Sequence, residues 1–485
     1  MIRITNSMMN NNTKNNINQN KTSADKLNTM VSTGQKITKP SDDPVIAIRA
    51  LRLNTSIAQL NQYYDKNIPD AEAWMTITES ALSQTDQIFS SIKENLTTGA
   101  SDDNTESDRM KLLESLKALR DQVYASGNAD YADRTVFTGY RTSESLTVLT
   151  TDDLTKIGYS SITEPVSADD IEKITYVSGT DVEAGSVEND VQSTEISRIR
   201  LAYDNIDTTA VTVSYKDAGG NTKSVTITPK SSFDDSDYLN GTGDSGTKSC
   251  INAETGELII GEDLADLSSA SDITITYAKS SFQAGDLRPE HYFSCIDKDG
   301  VHYNYTEDTS TSPSTWTADF QEQNINYEVS FNQTISINTH ASDVYSHDIG
   351  RDIDELVEAT QAVIDAGKLM DKYDEDSDEY AAAKKAYELL DDKCQKMFSN
   401  ALTRFDGYSE DVNLAIANIG SMSARLTVTK ERVSDQLQSF SELADSNINA
   451  ELTDTAIDLS NAELALEAAQ MAASKIAQQT LLNYL

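Results

Sequence analysis

The sequence predicts an α+β protein, a long antiparallel helical-bundle or coiled-coil stalk made from both chain ends with a β-rich domain inserted between them. Three observations predict it. Apolar residues recur every seven positions towards both ends, the middle of the chain changes to a period of two, and turn-forming residues concentrate in that middle.

The C-terminal repeat is the more regular. Phe398, Phe405, Val412, Ile419, Leu426, Val433 and Phe440 form one row, and Ala401, Tyr408, Ala415, Met422, Thr429, Gln436 and Leu443 follow three positions behind. This alternation of three and four is that of a helix buried along one seam. Seven apolar residues in one register arise by chance roughly once in a thousand trials. A matching rod runs from Ile46 through Leu53, Leu60, Asn67, Trp74, Ala81 and Ile88, with Ala50, Ile57, Tyr64, Ala71, Thr78, Thr85 and Ile92 beside it. At about 1.5 Å per residue each rod spans roughly 70 Å. Neither buries its seam alone, so the two are expected to pair through Leu53, Leu60, Trp74 and Ile88 on one side and the Phe398-to-Phe440 row on the other. Pro69 is expected to kink or break the first rod, and Asn67 puts a polar group on its seam. Shorter helical patterns at 107–125 and 349–370 complete a small bundle.

Between about 146 and 345 the period is two. Val211, Val213 and Tyr215 lead into Asp217-Ala218-Gly219-Gly220-Asn221, and Val225 and Ile227 lead away, which is a hairpin. Ile273 to Tyr277 and Tyr327 to Phe331 read as further half-buried strands, and 231–249 and 306–315 as loops. At the extreme ends the apolar stripes are thin. Ile17, Ala24, Leu27 and Val31 mark one; Leu452, Leu459, Leu466 and Ile476 mark the other, with alanine and threonine between them and Leu481, Leu482 and Leu485 beyond. Such stripes bury little area, so these ends are expected to order against neighbouring subunits. The predicted organisation is residues 1–45 with 446–485 as terminal assembly segments, 46–145 with 346–445 as the helical stalk, and 146–345 as an inserted β-rich outer domain of one or two subdomains.

Composition narrows the function. The 485 residues carry 39 basic and 79 acidic side chains, a net charge of −40, and only 38% are hydrophobic. Such a chain repels phosphate backbones and anionic headgroups, so neither nucleic acid nor membrane is an expected partner. Cys250, Cys295 and Cys394 are too few and too scattered for a disulfide framework. The asparagine-rich first twenty residues lack the apolar run of a cleaved secretory signal, so export, if any, is expected by a route that reads none.

Candidate chemistry is sparse. Gly243-Asp244-Ser245-Gly246 matches the surroundings of a protease serine, yet His291, His302, His340 and His347 all follow it, the wrong order for that triad. Asp297-Lys298-Asp299-Gly300 opens like a calcium loop but continues with Val301 at the fifth position and Asp308 at the twelfth, so a hairpin turn is expected. The run Asp374-Glu375-Asp376 reads as a solvated turn. His340 and His347 find no third ligand at metal spacing. No catalytic residue, cofactor or metal is expected.

The two ends carry a resemblance. Met1-Ile2-Arg3-Ile4-Thr5 leads to Ser32-Thr33-Gly34-Gln35-Lys36-Ile37-Thr38-Lys39-Pro40-Ser41-Asp42-Asp43-Pro44, and the chain closes on Gln478-Gln479-Thr480-Leu481-Leu482-Asn483-Tyr484-Leu485. Together with Phe137-Thr138-Gly139-Tyr140, this resembles the flagellin superfamily, and within it the hook–filament junction branch, which the two prolines favour over the filament branch. The resemblance covers roughly 1–145 and 345–485. It implies a secreted, extracellular, non-enzymatic subunit of the bacterial flagellum, exported by the flagellar type III apparatus with an export chaperone. The implied partners are other axial proteins (a neighbouring hook-associated protein and flagellin) and copies of itself in a ring. Filament flagellin and an elongated surface adhesin are the rival expectations. Within the joint motif, Gly34 is suited to end the terminal helix in a left-handed cap, Pro40 and Pro44 to stop either helix running through, and Ser41 or Asp42 to cap the next helix.

Overall fold

The computed structural model describes residues 6–101, 104–239, 248–310 and 313–482. Its helices are α1 (Asn6–Thr33), α2 (Pro44–Gln62), α3 (Ile68–Gly99), α4 (Glu106–Ser126), α5 (Asp235–Leu239), α6 (His347–Met370), α7 (Asp378–Ile448) and α8 (Leu452–Leu482). The strands β1 (Asp130–Tyr131), β2 (Arg134–Thr135), β3 (Tyr159–Val166), β4 (Glu172–Ser178), β5 (Gln192–Arg200), β6 (Val211–Lys216), β7 (Thr222–Ile227), β8 (Cys250–Asn252), β9 (Glu257–Ile259), β10 (Ser271–Lys279), β11 (Ser294–Asp297), β12 (His302–Tyr303), β13 (Tyr305–Asp308), β14 (Thr315–Ala318), β15 (Asn326–Ser330) and β16 (Gln333–Ser336) all lie between α4 and α6. The long helices from both ends and the antiparallel sheets between them are the α+β class with an inserted β-rich part. The chain divides into two compact units, one of Met1–Asp70, Tyr327–Ile335 and Arg425–Leu485, the other of Ala71–Asn326 and Ser336–Ala424.

Proline 69 does not break the first rod. Residues Tyr63–Asn67 form a π turn in which the Ile68 amide donates back to Tyr63 O, and α3 follows directly. The wider turn relieves the clash of a proline ring with the carbonyl four residues earlier, so the helical run absorbs the residue. Of the expected loop at 306–315, residues 306–308 and 315 belong to strands, because β13 and β14 pair from Tyr305↔Ala318 to Asp308↔Thr315.

In the second unit α3 and α7 run antiparallel. Phe89 meets Phe405 edge-on at 5.8 Å and Tyr408 at 6.5 Å, and Lys93 pairs with Asp406 at 3.3 Å. Trp74, Ile88, Phe398, Phe405, Val412 and Ile419 are all buried, as are Ala71, Ile92, Ala401 and Ala415 from the companion rows. In the first unit Leu60, Leu426 and Val433 are buried, and Leu53 and Phe440 are half-buried. There Asn447 Nδ2 donates to Ile46 O at 3.1 Å, and the β15–β16 turn clips onto both helices. Tyr63 Oη donates to Glu328 Oε1 at 2.9 Å, Asn67 Nδ2 to Glu328 O at 2.7 Å, and Gln333 Nε2 to Thr429 Oγ1 at 3.4 Å. The polar Asn67 on the seam is therefore satisfied by the hairpin.

The β-rich part holds two main sheets, a six-stranded one in the order β12-β11-β3-β10-β6-β7 and a four-stranded one in the order β4-β5-β9-β8. The hairpin at 217–221 forms as its residues require: Val213 faces Val225, and Gly220 takes φ +79°. The Asp297–Gly300 stretch is likewise a turn, with Asp297 Oδ1 accepting from Val301 N at 2.8 Å and Gly300 at φ +81°. Ile162, Val213, Ile275 and Tyr277 of the six-stranded sheet share one core with Ile199 and Leu258 of the four-stranded sheet. Strand alternation turns Ile196 and Ile259 to the opposite face, where they pack with Cys250, Tyr176 and Tyr238. All three cysteines are free and buried.

Beyond that face lie α6 and α7, joined to the sheet by buried ion pairs. Arg198 of β5 pairs with Glu172 at 3.1 Å, Glu355 at 2.5 Å and also Glu257. Arg200 pairs with Asp352 at 2.8 Å and with Asp348 and Glu355 at 3.3 Å. Arg404 of α7 spans Glu172 at 2.7 Å and Asp352 at 2.6 Å. At the tip of the α6–α7 hairpin, Ala382, Ala383 and Ala386 pack on Val177, Val182 and Val191.

Two predictions follow from this packing. Leu426 is fully buried, so Leu426→Asp buries an unpaired charge and should lower stability by about 3–5 kcal/mol in a urea titration; a loss below about 1 kcal/mol would mean the seam is open there. Glu164 is buried beside Ala202 N at 3.1 Å and Tyr277 Oη at 2.9 Å. Burial pushes its pKa from 4.5 up to about 7. The folded state thus holds a proton that the unfolded chain releases, and this group's contribution to stability is present below about pH 4.5 and declines as pH rises through 7. Glu164→Gln keeps the acceptor and removes that slope, so at pH 8 the variant should exceed the wild type by about 3 kcal/mol and at pH 4 match it.

Candidate assembly interface

Unit 1 contains the predicted joint and both terminal helices. Thr33 ends α1, and Gly34 takes φ +70° with its amide donating to Met30 O at 2.8 Å, the left-handed cap expected of it. The cap of the next helix is Asp43, not Ser41 or Asp42. Asp43 Oδ1 accepts from Val45 N at 2.9 Å and Ile46 N at 3.2 Å, with Pro44 as the first helical residue. Asp42 closes the preceding turn instead, taking Lys39 N at 2.9 Å and Thr38 N at 3.1 Å, and these amides hold its carboxyl below the usual carboxylate range. Asp43 wins the cap because proline at the following position fixes the helix start one residue after it. Pro40 lies in the turn between the two helices.

The C-terminal side breaks beside this joint. Between α7 and α8, Asn449 bridges Gln35 in an antiparallel pair, Lys36 N donates to Ile448 O at 2.7 Å, and Ala450 N donates to Gly34 O at 2.8 Å. Lys36 Nζ reaches Ser446 O at 2.5 Å. The joint motif Gly34 to Pro44 lies on one chain segment; the facing boundary expected at 445/446 has no such motif, since 446–451 carries no proline or glycine.

Past the joint α1 and α8 pack antiparallel, with Asn20 Nδ2 donating to Ala465 O at 3.3 Å. Their facing stripes are thin. Ile17, Leu27 and Val31 on α1 and Leu459 and Leu466 on α8 are half-buried, and Thr455 alone among the described α8 residues is buried. Leu452 is exposed. The side chains of Ile476, Leu481 and Leu482 and the whole of Leu485 lie outside the described residues, as does the Gly243–Gly246 motif. A second apolar row on α8 faces away from α1: Ile457, Leu464 and Met471 recur at seven-residue spacing and are 56%, 65% and 59% exposed. On α2, Val45, Ile48 and Leu51 are similarly uncovered. The heptad of Ile457, Leu464 and Met471 was available in the sequence and is the signal that would have found this row.

The remaining candidates sit in the second unit. His347 is a core residue, packed edge-on against Tyr203 at 4.7 Å and Tyr292 at 4.5 Å, and burial holds its pKa down to about 3. His340 faces Asn324 Oδ1 at 3.3 Å. Phe137 of the Phe137–Tyr140 motif packs edge-on against Tyr345 at 5.0 Å, tying the chain that enters the β-rich part to the chain that leaves it. A cleft of about 560 Å³ lies between the four-stranded sheet and α6 and α7, lined by charges of both signs including Arg198, Glu257, Glu358 and Lys393. Near the Phe137 motif, donor atoms of Glu144, Glu290 and His291 lie within 4.8 Å of one another, a grouping that no local spacing announces.

Residues 4–142 match the family described as the bacterial flagellin N-terminal helical region. That end of the chain is similar to a flagellin-type helical region. The chain is 33% identical over 118 residues to flagellar hook-associated protein 3 of Salmonella typhimurium and 31% identical over 118 residues to that of Escherichia coli. Each match covers 24% of this chain and 37% of the relative. A crystal structure of flagellar hook associated protein-3 from Legionella pneumophila aligns at 12% identity and a TM-score of 0.33, covering 81% of this chain and 97% of that one. The matched residues 4–142 include α1, the joint and α2.

The joint yields its own prediction. No atom lies within 4 Å of a Cβ built on Gly34, so Gly34→Ala meets only the left-handed backbone penalty and should cost about 1 kcal/mol. Asp43→Ala removes two accepted amides and should cost about 1 kcal/mol as well. Helical circular dichroism against temperature measures both, and a neutral Asp43→Ala would place the cap elsewhere.

Proposed function

We propose that this chain is a non-enzymatic structural subunit of the bacterial flagellum, joining hook to filament and assembling through helix packing of its two ends. The observation that carries the proposal is the pair α1 and α8: α1 lies in the region that matches the flagellin N-terminal model, and its partner α8 leaves the row Ile457, Leu464 and Met471 uncovered at the spacing a further helix would fill. In this reading residues 1–45 with 446–485 are the assembly segments, 46–145 with 346–445 the stalk, and 146–345 the outer domain. Leu53, Leu60, Trp74, Ile88 and the Phe398-to-Phe440 row form the stalk seam, and Ile17, Leu27, Val31, Leu452, Leu459, Leu466, Ile476, Leu481, Leu482 and Leu485 serve the ends. The subunit is secreted and acts outside the cell. Its neighbours are other axial proteins, a hook-associated protein on one side and flagellin on the other, with copies of itself in a ring; an export chaperone and the flagellar export apparatus deliver it.

The second reading is filament flagellin, which the family description of residues 4–142 favours. Two experiments separate them. Purified full-length protein that polymerises alone into long filaments supports flagellin and sinks the junction role. In cells that shed filaments for want of a junction protein, the full chain should restore attached filaments, and a chain trimmed to residues 46–444 should not. Restoration by the trimmed chain would remove the assembly role from both ends.

A further inference from the structure

We propose that Glu144, Glu290 and His291 bind one divalent transition-metal ion, with zinc(II) as the reference ion, at the neck where the chain enters and leaves the β-rich part. The three residues offer one nitrogen and carboxylate oxygens within 4.8 Å of one another. Glu290 and His291 are 4% and 8% exposed, and Glu144 is half-buried.

Two buried atoms call for a partner. His291 Nε2 lies 3.2 Å from Ser145 O, and a carbonyl only accepts, so Nε2 carries the hydrogen and Nδ1 presents a lone pair. Among the described residues neither that Nδ1 nor Glu144 Oε2 has a hydrogen-bond partner, although both are buried. Buried lone pairs left bare are costly, and two of them beside the Glu290 carboxylate form a site that a cation satisfies at once. The backbone carbonyl on Nε2 is the outer contact that usually orients a metal-bound imidazole.

Charge and chemistry select the ion. Arg288 Nη1 stands 3.7 Å from Glu290 Oε1, and Tyr159 Oη donates to Glu290 Oε2, so Glu290 is already partly engaged. Arg141 donates to Glu290 O at 2.7 Å and adds a second positive charge nearby. A weakly bound hard cation such as magnesium gains too little here, and an imidazole nitrogen favours a borderline ion. Zinc–ligand bonds of about 2.0–2.2 Å require the three donors to close by roughly 1 Å, a rotamer-scale movement. The ion would staple residue 144 to the short helical turn Pro289–His291, adding to the antiparallel bridge Thr147↔Leu287 already present there.

The test uses the full chain, stripped with chelator and titrated with zinc in excess magnesium, which occupies the acidic surface. One zinc per chain with a rise in melting temperature is expected. Glu144→Gln and His291→Asn should each weaken binding at least tenfold while melting with the wild type in chelator. X-ray absorption of the zinc-loaded wild type, which needs no variant, should show one imidazole among oxygen ligands. No zinc retained against magnesium, zinc binding undiminished in both variants, or a spectrum with no imidazole or with two would each overturn the proposal.

Discussion

Each long helix carries an apolar row it cannot bury by itself. That constraint organises the rest. A chain whose first rod needs a partner of matching length must travel away and return, and everything between has to close on itself so that the return occurs beside the departure. The structure meets this at Phe137 and Tyr345, whose rings pack at 5.0 Å on the outgoing and incoming segments. Tyr345 Oη also contacts Thr85 Oγ1 of α3 at 2.9 Å, and Tyr292 Oη donates to Tyr345 O at 2.7 Å. The seam, the neck and the sheets thus share one aromatic residue.

Within the second unit the β-rich part is held by more than its two connections. Arg198, Arg200 and Arg404 interleave with Glu172, Asp352 and Glu355, so that carboxylates from α6 sit on arginines from β5. Desolvating these groups costs about as much as their attraction returns, so their net gift to stability is small. Geometry is what they fix. Removing one partner leaves the others buried and uncompensated, which penalises any alternative placement of the sheet on those helices.

The local features were legible in the sequence and the non-local ones were not. Heptad rows such as Phe398 to Val433 gave the long helix, because helical periodicity needs no tertiary partner to be seen. The turn at Gly220 and the cap at Gly34 were readable for the same reason: both follow from φ/ψ preferences of single residues. Pro69 marked an irregularity in the rod without giving its form, since a proline's cost in a regular helix is avoidable by a π turn that only the packed structure selects. Asp43 displaced Asp42 as the cap through one residue of register. The Glu144, Glu290 and His291 cluster joins residues far apart in the chain, and the Arg198 network joins a strand to two helices. Neither has a sequence spacing that could announce it. The uncovered row on α8 was readable but lay one register away from the stripe that faces α1.

The joint between stalk and terminal helices is double, because the chain loses helical order near Gly34 to Asp43 and again at Asn449 to Glu451. A single flexible linker would let the terminal pair swivel about its own axis. Two tethers, cross-linked by the Gln35↔Asn449 bridge and the hydrogen bond from Ala450 N to Gly34 O, behave differently. They permit bending about the line that joins them and resist torsion, since twisting must stretch one tether against the other. The same cross-links hold the two breaks in register, so a change of tilt at one is coupled to the other.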